Sequence, residues 1–509
     1  FGSFIFMRKK SIIKGAVILT SANLITRIMG FFYRIYMSDT IGSEGIGLYQ
    51  LVMPIYLLSW SITSSGFSTT VSRLTAAENA KKKYGNITRI VVVSVFLCMA
   101  VSIITSLAMF FGADFIAEQI IKDYRTALSL KILAFAIPFM AIGSCVRGYF
   151  LGIQRQSVPA LSQIIEQTVR IVVIVVLAPM FAEKGLEYAC AAAITGVLLG
   201  EAVSCIFTVI SYNGLRKDAA YSRNISAAKC IVLVLSMSIP LAATRISSSL
   251  LSTFENILIP QKLQAFGETG EAAMSIYGNL TGMAIPLMQL PSALLIAVST
   301  ALIPNITEAS AIGNKKRISD MISVSIMFTA IIGIGAACLF AVFPHELSVA
   351  VYDRYELGEL LIKLVPACPL LYLNIILSGI LNGLGQHVFI FRNNIISSVI
   401  NIIFICYLMP LYGTDAYIAG WCAGIFVSVG LSIYKVIKLT NVKFDISKWI
   451  FKPVISAAAG GLSAKCILNY LIPSRLVYIL TAVFMLIMYI IFLFAMGALN
   501  KKDLKLLKP

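Results

Sequence analysis

Apolar runs of about 20 residues recur from one end of the chain to the other, and each is long enough as a helix to cross a hydrocarbon core of roughly 30 Å. Lipid offers no water to unpaired N–H and C=O groups, so such runs must fold as helices. The alternating ten-residue units of a membrane barrel do not occur. Only 13% of the 509 residues are charged, where a soluble domain carries about 25%. The net charge of +18 reads as positively charged loops on the cytoplasmic side, not as a nucleic-acid surface.

Fourteen spans are predicted, near 11–37, 46–77, 87–112, 126–152, 158–181, 187–211, 229–257, 272–309, 319–343, 358–385, 389–411, 415–438, 449–470 and 476–499. The stretch before Met7 is expected to be a non-native leader, and no cleavable signal peptide is expected. With the N-terminus in the cytoplasm, the inside loops and tails, with the span edges adjoining them, hold 26 Lys or Arg and the outside loops six. Acids lean the other way, 14 outside and five inside. A miscounted span would invert every later loop and scramble this asymmetry, so both ends are expected in the cytoplasm. The ten cysteines lie almost wholly in apolar runs without a CxxC pair, and the two histidines, His345 and His387, fall in loops. Neither a disulfide framework nor a metal site is expected. No GxxxxGK[ST] loop is present, so ATP hydrolysis by that route is excluded and the chain is not expected to be an enzyme.

The chain reads as two copies of one unit. A shift of 231 residues places Pro138 on Pro369, Gly152 on Gly383, Pro179 on Pro410 and Gln163 on Asn394. A shift of 232 aligns Pro54 with Pro286 and Thr75 with Thr307, and one of 218 aligns the two "TRI" triplets at 26–28 and 244–246. Residues 7–225 (spans 1–6) and 226–445 (spans 7–12) are therefore expected to be two six-helix lobes, parallel repeats that rock around a shared site. Residues 446–509 add spans 13–14 and a basic cytoplasmic tail.

Nine basic residues fall inside spans and only four acids: Glu166, Glu201, Glu255 and Glu308. Charge within a membrane is costly and faces a cavity or a partner. Arg27 and Arg245 lie 13 and 16 residues beyond Lys14 and Lys229, roughly 20–24 Å into the membrane at 1.5 Å per residue. Neither readily reaches the cytoplasmic surface, so both are expected to face a cavity, the alternative being structural pairing within a lobe. Arg73 and Arg34 lie nearer opposite interfaces and either join that cavity or snorkel. Glu166 and Arg170 are four apart on one helix face and are expected to pair. Glu201 has no local partner and is a candidate proton or cation site, and Glu255 lies ten residues past Arg245. Lys131, Lys363, Lys465 and Glu308, near span ends, are expected to snorkel. Arginine stays charged when desolvated and donates parallel hydrogen bonds to phosphate. A net-positive interior thus suits a polyanionic headgroup, whereas an exporter of organic cations would place acids and aromatics there.

"TRIMGF", "IGSEGIGLYQL" followed by a proline, and "VSRLTAAE", all within residues 15–78, resemble the start of the stage V sporulation protein B group. That group belongs to the polysaccharide transporter branch of the multidrug/oligosaccharidyl-lipid/polysaccharide (MOP) flippase superfamily, and the resemblance extends over essentially the whole chain. It implies a MATE-like fold and movement of an undecaprenyl-linked pyrophosphate saccharide, such as lipid II or a spore-cortex precursor, across the bacterial cytoplasmic membrane by alternating access. Arg27 matches the first cavity arginine of lipid II flippases through its Arg-x-x-Gly-Phe context; Arg34 follows seven residues later where six is the family spacing. Spans 13–14 resemble the pair that forms a groove for the lipid tail. No cofactor is expected, with membrane potential, Na+ or H+ as the energy source. The expected partners are the lipid-linked saccharide, membrane lipids and cell-wall synthesis enzymes, the expected state a monomer. The alternatives are a cation-coupled multidrug exporter of the same superfamily and an accessory membrane subunit for cell-wall or spore-coat enzymes.

Overall fold

The computed structural model describes residues 2–215, 225–440, 442, 445 and 447–499. The basic tail and the 216–223 loop of the orientation argument lie outside the described residues. Every regular element among the described residues is helical. In order the α-helices are α1 (Gly2–Trp60), α2 (Gly66–Ala80), α3 (Tyr84–Phe115), α4 (Ala127–Gly152), α5 (Ser157–Ala182), α6 (Leu186–Leu215), α7 (Ala227–Phe266), α8 (Gly270–Tyr277) and α9 (Ile285–Gln289), with short π- and 3-10-helical turns between some of them. Next come α10 (Ser292–Ala311), α11 (Lys315–Val342), α12 (Pro344–Tyr352), α13 (Leu357–Leu364), α14 (Ala367–Gly383), α15 (His387–Ile403), α16 (Met409–Tyr412), α17 (Thr414–Thr440), α18 (Lys452–Leu468) and α19 (Arg475–Ala495).

Among the described residues, twelve helices are long and apolar enough to cross a membrane, and thirteen when α13 and α14, bent by 57°, count as one span. The chain is thus a multi-pass membrane protein, but length and apolarity do not reach the expected fourteen. α1 holds two helices that meet at a kink at Gly42, between the first two expected spans; its φ of 71° is a left-handed conformation that costs glycine little.

Packing divides the chain into two compact units, one of residues up to Gln261 with Met274–Gly278, the other of Lys262–Ala273 and the chain from Asn279 on. The sequence boundary at 225/226 follows the duplication, whereas α7 as far as Gln261 packs with the first unit. One face of α7 explains this. Ser238 Oγ donates to Thr70 Oγ1 at 3.0 Å, Ser249 and Ser61 hydroxyls meet at 2.6 Å, and Thr253 Oγ1 donates to the Pro54 carbonyl at 3.2 Å. Gly66 lets the backbones approach, since a Cβ there would lie only 3.0 Å from that of Ala242. Small residues and interhelical hydroxyl bonds are how helices associate where lipid removes the hydrophobic drive.

The duplication is written in the backbone. Lys82, Lys122 and Gln154 have positive φ, and so do Gly313, Asp353 and Gly385, each 231 residues further on. Gly42 and Gly185 find counterparts in Gly267 and Gly413. The ends of α4 and α14 are capped alike: Arg155 N donates to Phe150 O and Gln386 N to Leu381 O, both at 2.9 Å. Each end returns the chain through a left-handed residue, as helix C-termini commonly do.

Proline inside a helix frees the carbonyl four residues earlier, and in lipid that group needs another donor. Pro54 frees Gln50 O, and the Tyr277 hydroxyl lies 3.2 Å from it. Pro138 frees Ala134 O, which accepts from Ser106 Oγ at 2.6 Å. Pro179 frees Val175 O, which accepts from Tyr36 at 3.3 Å. Each bend is thereby fastened to a neighbouring helix. The lysines expected to snorkel meet carboxylates: Lys131 pairs with Asp114 at 2.8 Å, Lys363 with Asp415 at 2.5 Å and Lys465 with Glu346 at 3.1 Å.

Ser106→Ala is expected to destabilise the protein by about 1–2 kcal/mol, as for an orphaned buried acceptor, and Pro138→Ala in the same chain to remove most of that loss by restoring the backbone donor. Melting of the four proteins of this cycle in detergent checks it. Outside the spans, Glu78 is buried beside the turn after α2. Burial pushes its carboxyl up, but hydrogen bonds from Asn86 and Lys81, at 2.7 and 3.1 Å, outweigh this and hold it below its ordinary value. A depressed acid stabilises the fold above its unfolded pKa, about 4.3, and that contribution is lost as pH falls through the folded value. Amide exchange across residues 81–87 should therefore accelerate below about pH 4, and Glu78→Gln should abolish the acceleration.

Candidate functional site

Arg27, Gly30 and Arg34 are three and seven residues apart on α1 and share a face. Arg34 and Gly30 line a cavity of about 400 Å³ in the first unit, closed by the part of α1 beyond Gly42, by α5 and by α7. The second guanidinium on its wall is Arg170. The polar lining is otherwise neutral, with Gln50, Gln167, Ser252 and Asn256 beside Tyr33 and Tyr49. No carboxylate is among the lining residues.

α5 carries Gln163, Glu166, Gln167 and Arg170 at i, i+3, i+4 and i+7, a polar stripe that holds all of the helix's charged and amide side chains. α6 holds that stripe close through the glycines of "GVLLG". A Cβ at Gly196 would lie 3.1 Å from the Arg170 carbonyl oxygen, and one at Gly200 would lie 2.9 Å from that of Glu166. Arg170 Nη2 donates to Glu166 Oε1 at 2.9 Å, the pairing expected from the spacing. Its Nε is buried without a hydrogen-bond partner among the described residues. Glu201 is only 2% exposed and accepts from the Tyr56 hydroxyl at 2.5 Å. Its other oxygen has no partner among the described residues. It lies within electrostatic reach of Glu166, Arg147 and Arg170, and Arg147 itself donates to Ser204 at 3.2 Å.

The expected residues thus separate. Arg34 and Arg170 meet at the cavity, with Glu166 and Glu201 behind it. Arg27 shares Arg34's helix face but is exposed and is not on the lining. Arg245 is exposed and lies over the Trp60 ring at 5.6 Å. Arg73 is exposed on α2, and Glu255 is half-buried beside Asn256 without lining the cavity. The neutral residues Gln50, Gln167, Asn256, Tyr33 and Tyr49 were not anticipated. The signal that could have found two of them is the polar stripe on α5 and the glutamine four residues before Pro54. A second cavity, of about 330 Å³, involves α12, α18 and α19 in the second unit. Its cation Lys465 is already engaged by Glu346, and His345 stacks on Tyr355 at 4.1 Å. It therefore has less free charge to offer a ligand than the first.

Residues 12–310 match the family model described as "Polysaccharide biosynthesis protein", and residues 265–408 match the MatE model. The chain is 27% identical over 465 residues to stage V sporulation protein B of Bacillus subtilis (strain 168), covering 90% of each. It is 24% identical over 480 residues to the lipid II flippase MurJ of the same organism, covering 88% of this chain and 87% of that one. A solved structure of lipid II flippase MurJ in an inward closed conformation superposes with a TM-score of 0.70 at 15% identity, over 94% of this chain and 98% of the other. The last two are flippases by name, and the solved one shares the helical architecture described above. The chain belongs to the polysaccharide biosynthesis protein family and is a membrane transporter of the MOP flippase superfamily.

Proposed function

We propose that this protein flips an undecaprenyl-linked pyrophosphate saccharide across the bacterial cytoplasmic membrane by alternating access, with both termini in the cytoplasm. The observation that carries the reading is the cavity wall with two guanidiniums, Arg34 and Arg170, and no lining carboxylate. Guanidinium forks fit phosphate oxygens in parallel pairs and keep their charge away from bulk water. Arg170 is on the cavity lining, and Glu166 fixes its orientation. A cavity for organic cations would carry the opposite sign. Arg27, on the same face of α1 as Arg34, extends the positive track along the helix. Arg73 and Arg245 are assigned to the approach to the site, since neither is on its lining.

An inside-negative potential favours outward movement of an anion, by about 2.3 kcal/mol per charge per 100 mV. This makes membrane potential a sufficient driving force without a metal or cofactor.

Arg34→Ala and Arg170→Ala should each lower flipping of a fluorescent undecaprenyl-diphosphate saccharide in proteoliposomes by about tenfold or more, the effect of losing a charge-assisted hydrogen-bonded contact. An imposed inside-negative potential should speed the wild type. Undiminished flipping by both variants would overturn the assignment, and efflux of organic cations by the purified protein would favour the exporter reading instead.

A further inference from the structure

The guanidiniums account for only part of the cavity. Four neutral side chains, Gln50, Gln167, Ser252 and Asn256, share its wall with them. A phosphate oxygen only accepts hydrogen bonds, and arginine, with five donors and no acceptor, already answers that need. A carboxamide presents a carbonyl acceptor beside its donors, and that carbonyl has nothing to receive from a phosphate. It matches a group that donates and accepts at once, such as a sugar hydroxyl or an N-acetyl amide.

Gln167 is placed to serve such a group. It lies three residues before Arg170 on the polar stripe of α5. On the α1 side it faces Gly30, where an added Cβ would stand 3.7 Å from its Nε2. The amide therefore sits against the turn between Arg27 and Arg34, on the same lining as both guanidiniums. Among the described residues no hydrogen bond holds it. Across the cavity Asn256 is the opposite case. Its Nδ2 donates to Ser252 O at 2.7 Å and its Oδ1 lies 2.9 Å from the Tyr277 hydroxyl, so its orientation is fixed before any ligand arrives. The Tyr33 and Tyr49 rings, 6.2 Å apart and inclined at 59°, are buried against each other at the edge of the lining.

We propose that Gln167, with Asn256 opposite it, recognises the neutral sugar unit attached directly to the diphosphate, so that this cavity reads the saccharide as well as the charge. The inference rests on the cavity being the headgroup site. Arg34 and Arg170 hold the diphosphate, and the first sugar falls on the amides next to them. The free Gln167 amide is the adaptable contact and the fixed Asn256 amide the preset one.

The test uses the full chain in lipid nanodiscs and two probes: undecaprenyl diphosphate, and undecaprenyl diphosphate carrying one N-acetylhexosamine. The wild type should bind the sugar-bearing lipid more tightly than the bare one. Gln167→Leu, which keeps the volume and loses the hydrogen bonds, should weaken the sugar-bearing lipid by about three- to tenfold, the range for neutral hydrogen bonds. Binding of bare undecaprenyl diphosphate should change by less than twofold. Gln167→Asn, which keeps a carboxamide, should recover part of the preference. An unaltered melting temperature guards against a folding defect. Equal weakening of both probes, or a sugar preference undiminished in Gln167→Leu, overturns the inference while leaving the diphosphate site standing. Failure of the wild type to bind either probe overturns the headgroup reading and this inference with it.

Discussion

A backbone carbonyl in hydrocarbon must find a donor, and much of this architecture follows from meeting that demand where proline breaks the helical ladder. Gln50, Ala134 and Val175 each lose their helical partner to a proline, and a hydroxyl from Tyr277, Ser106 or Tyr36 lies on the freed oxygen. Each such contact joins two segments at the point where one is bent. The Pro54 case reaches the arginine-lined cavity directly. Pro54 and Gln50 both line the cavity, and the tyrosine that serves Gln50 also touches Asn256 on the same wall. The shape of the cavity and the satisfaction of its backbone are thus one structural problem with one solution.

Charge is handled with the same economy. A guanidinium inside a membrane is tolerated when it has a partner or a polar cavity, and Arg170 has both, Glu166 on its own helix and the cavity in front. The glycines at 196 and 200 make this possible, because any larger residue would push α6 away from the turns that carry the pair. Glu201, immediately beyond Gly200, is held by Tyr56 behind the arginine, and the two guanidiniums are on the cavity side.

The duplicated backbone shows where the two halves diverged. Shifted by 231, the α5 stripe of Gln163, Glu166, Gln167 and Arg170 becomes Asn394, Ser397, Ser398 and Asn401 on α15. The stripe is polar in both copies and charged only in the first. The close helix contact is retained too, since a Cβ at Gly424 would lie 2.9 Å from the Ser397 carbonyl oxygen, as one at Gly200 would from that of Glu166. The scaffold was copied, and the charged stripe belongs to one copy.

The sequence by itself determined the helical membrane class, the duplication and the pairing of Glu166 with Arg170, because these rest on local quantities: run length, repeat register and the 3.6-residue turn. It also pointed to a net-positive interior. It placed separate spans on either side of Gly42, and the backbone kinks there, although length and apolarity alone do not divide that stretch. Only the tertiary structure decided which arginines share a cavity. Depth along a helix favoured Arg27 and Arg245, but which way a side chain faces depends on the rotation of its helix and on what packs against it. That rotation set Arg245 over Trp60, turned Arg34 and Arg170 toward each other's cavity, and drew in amides from α1, α5 and α7 that no local pattern links.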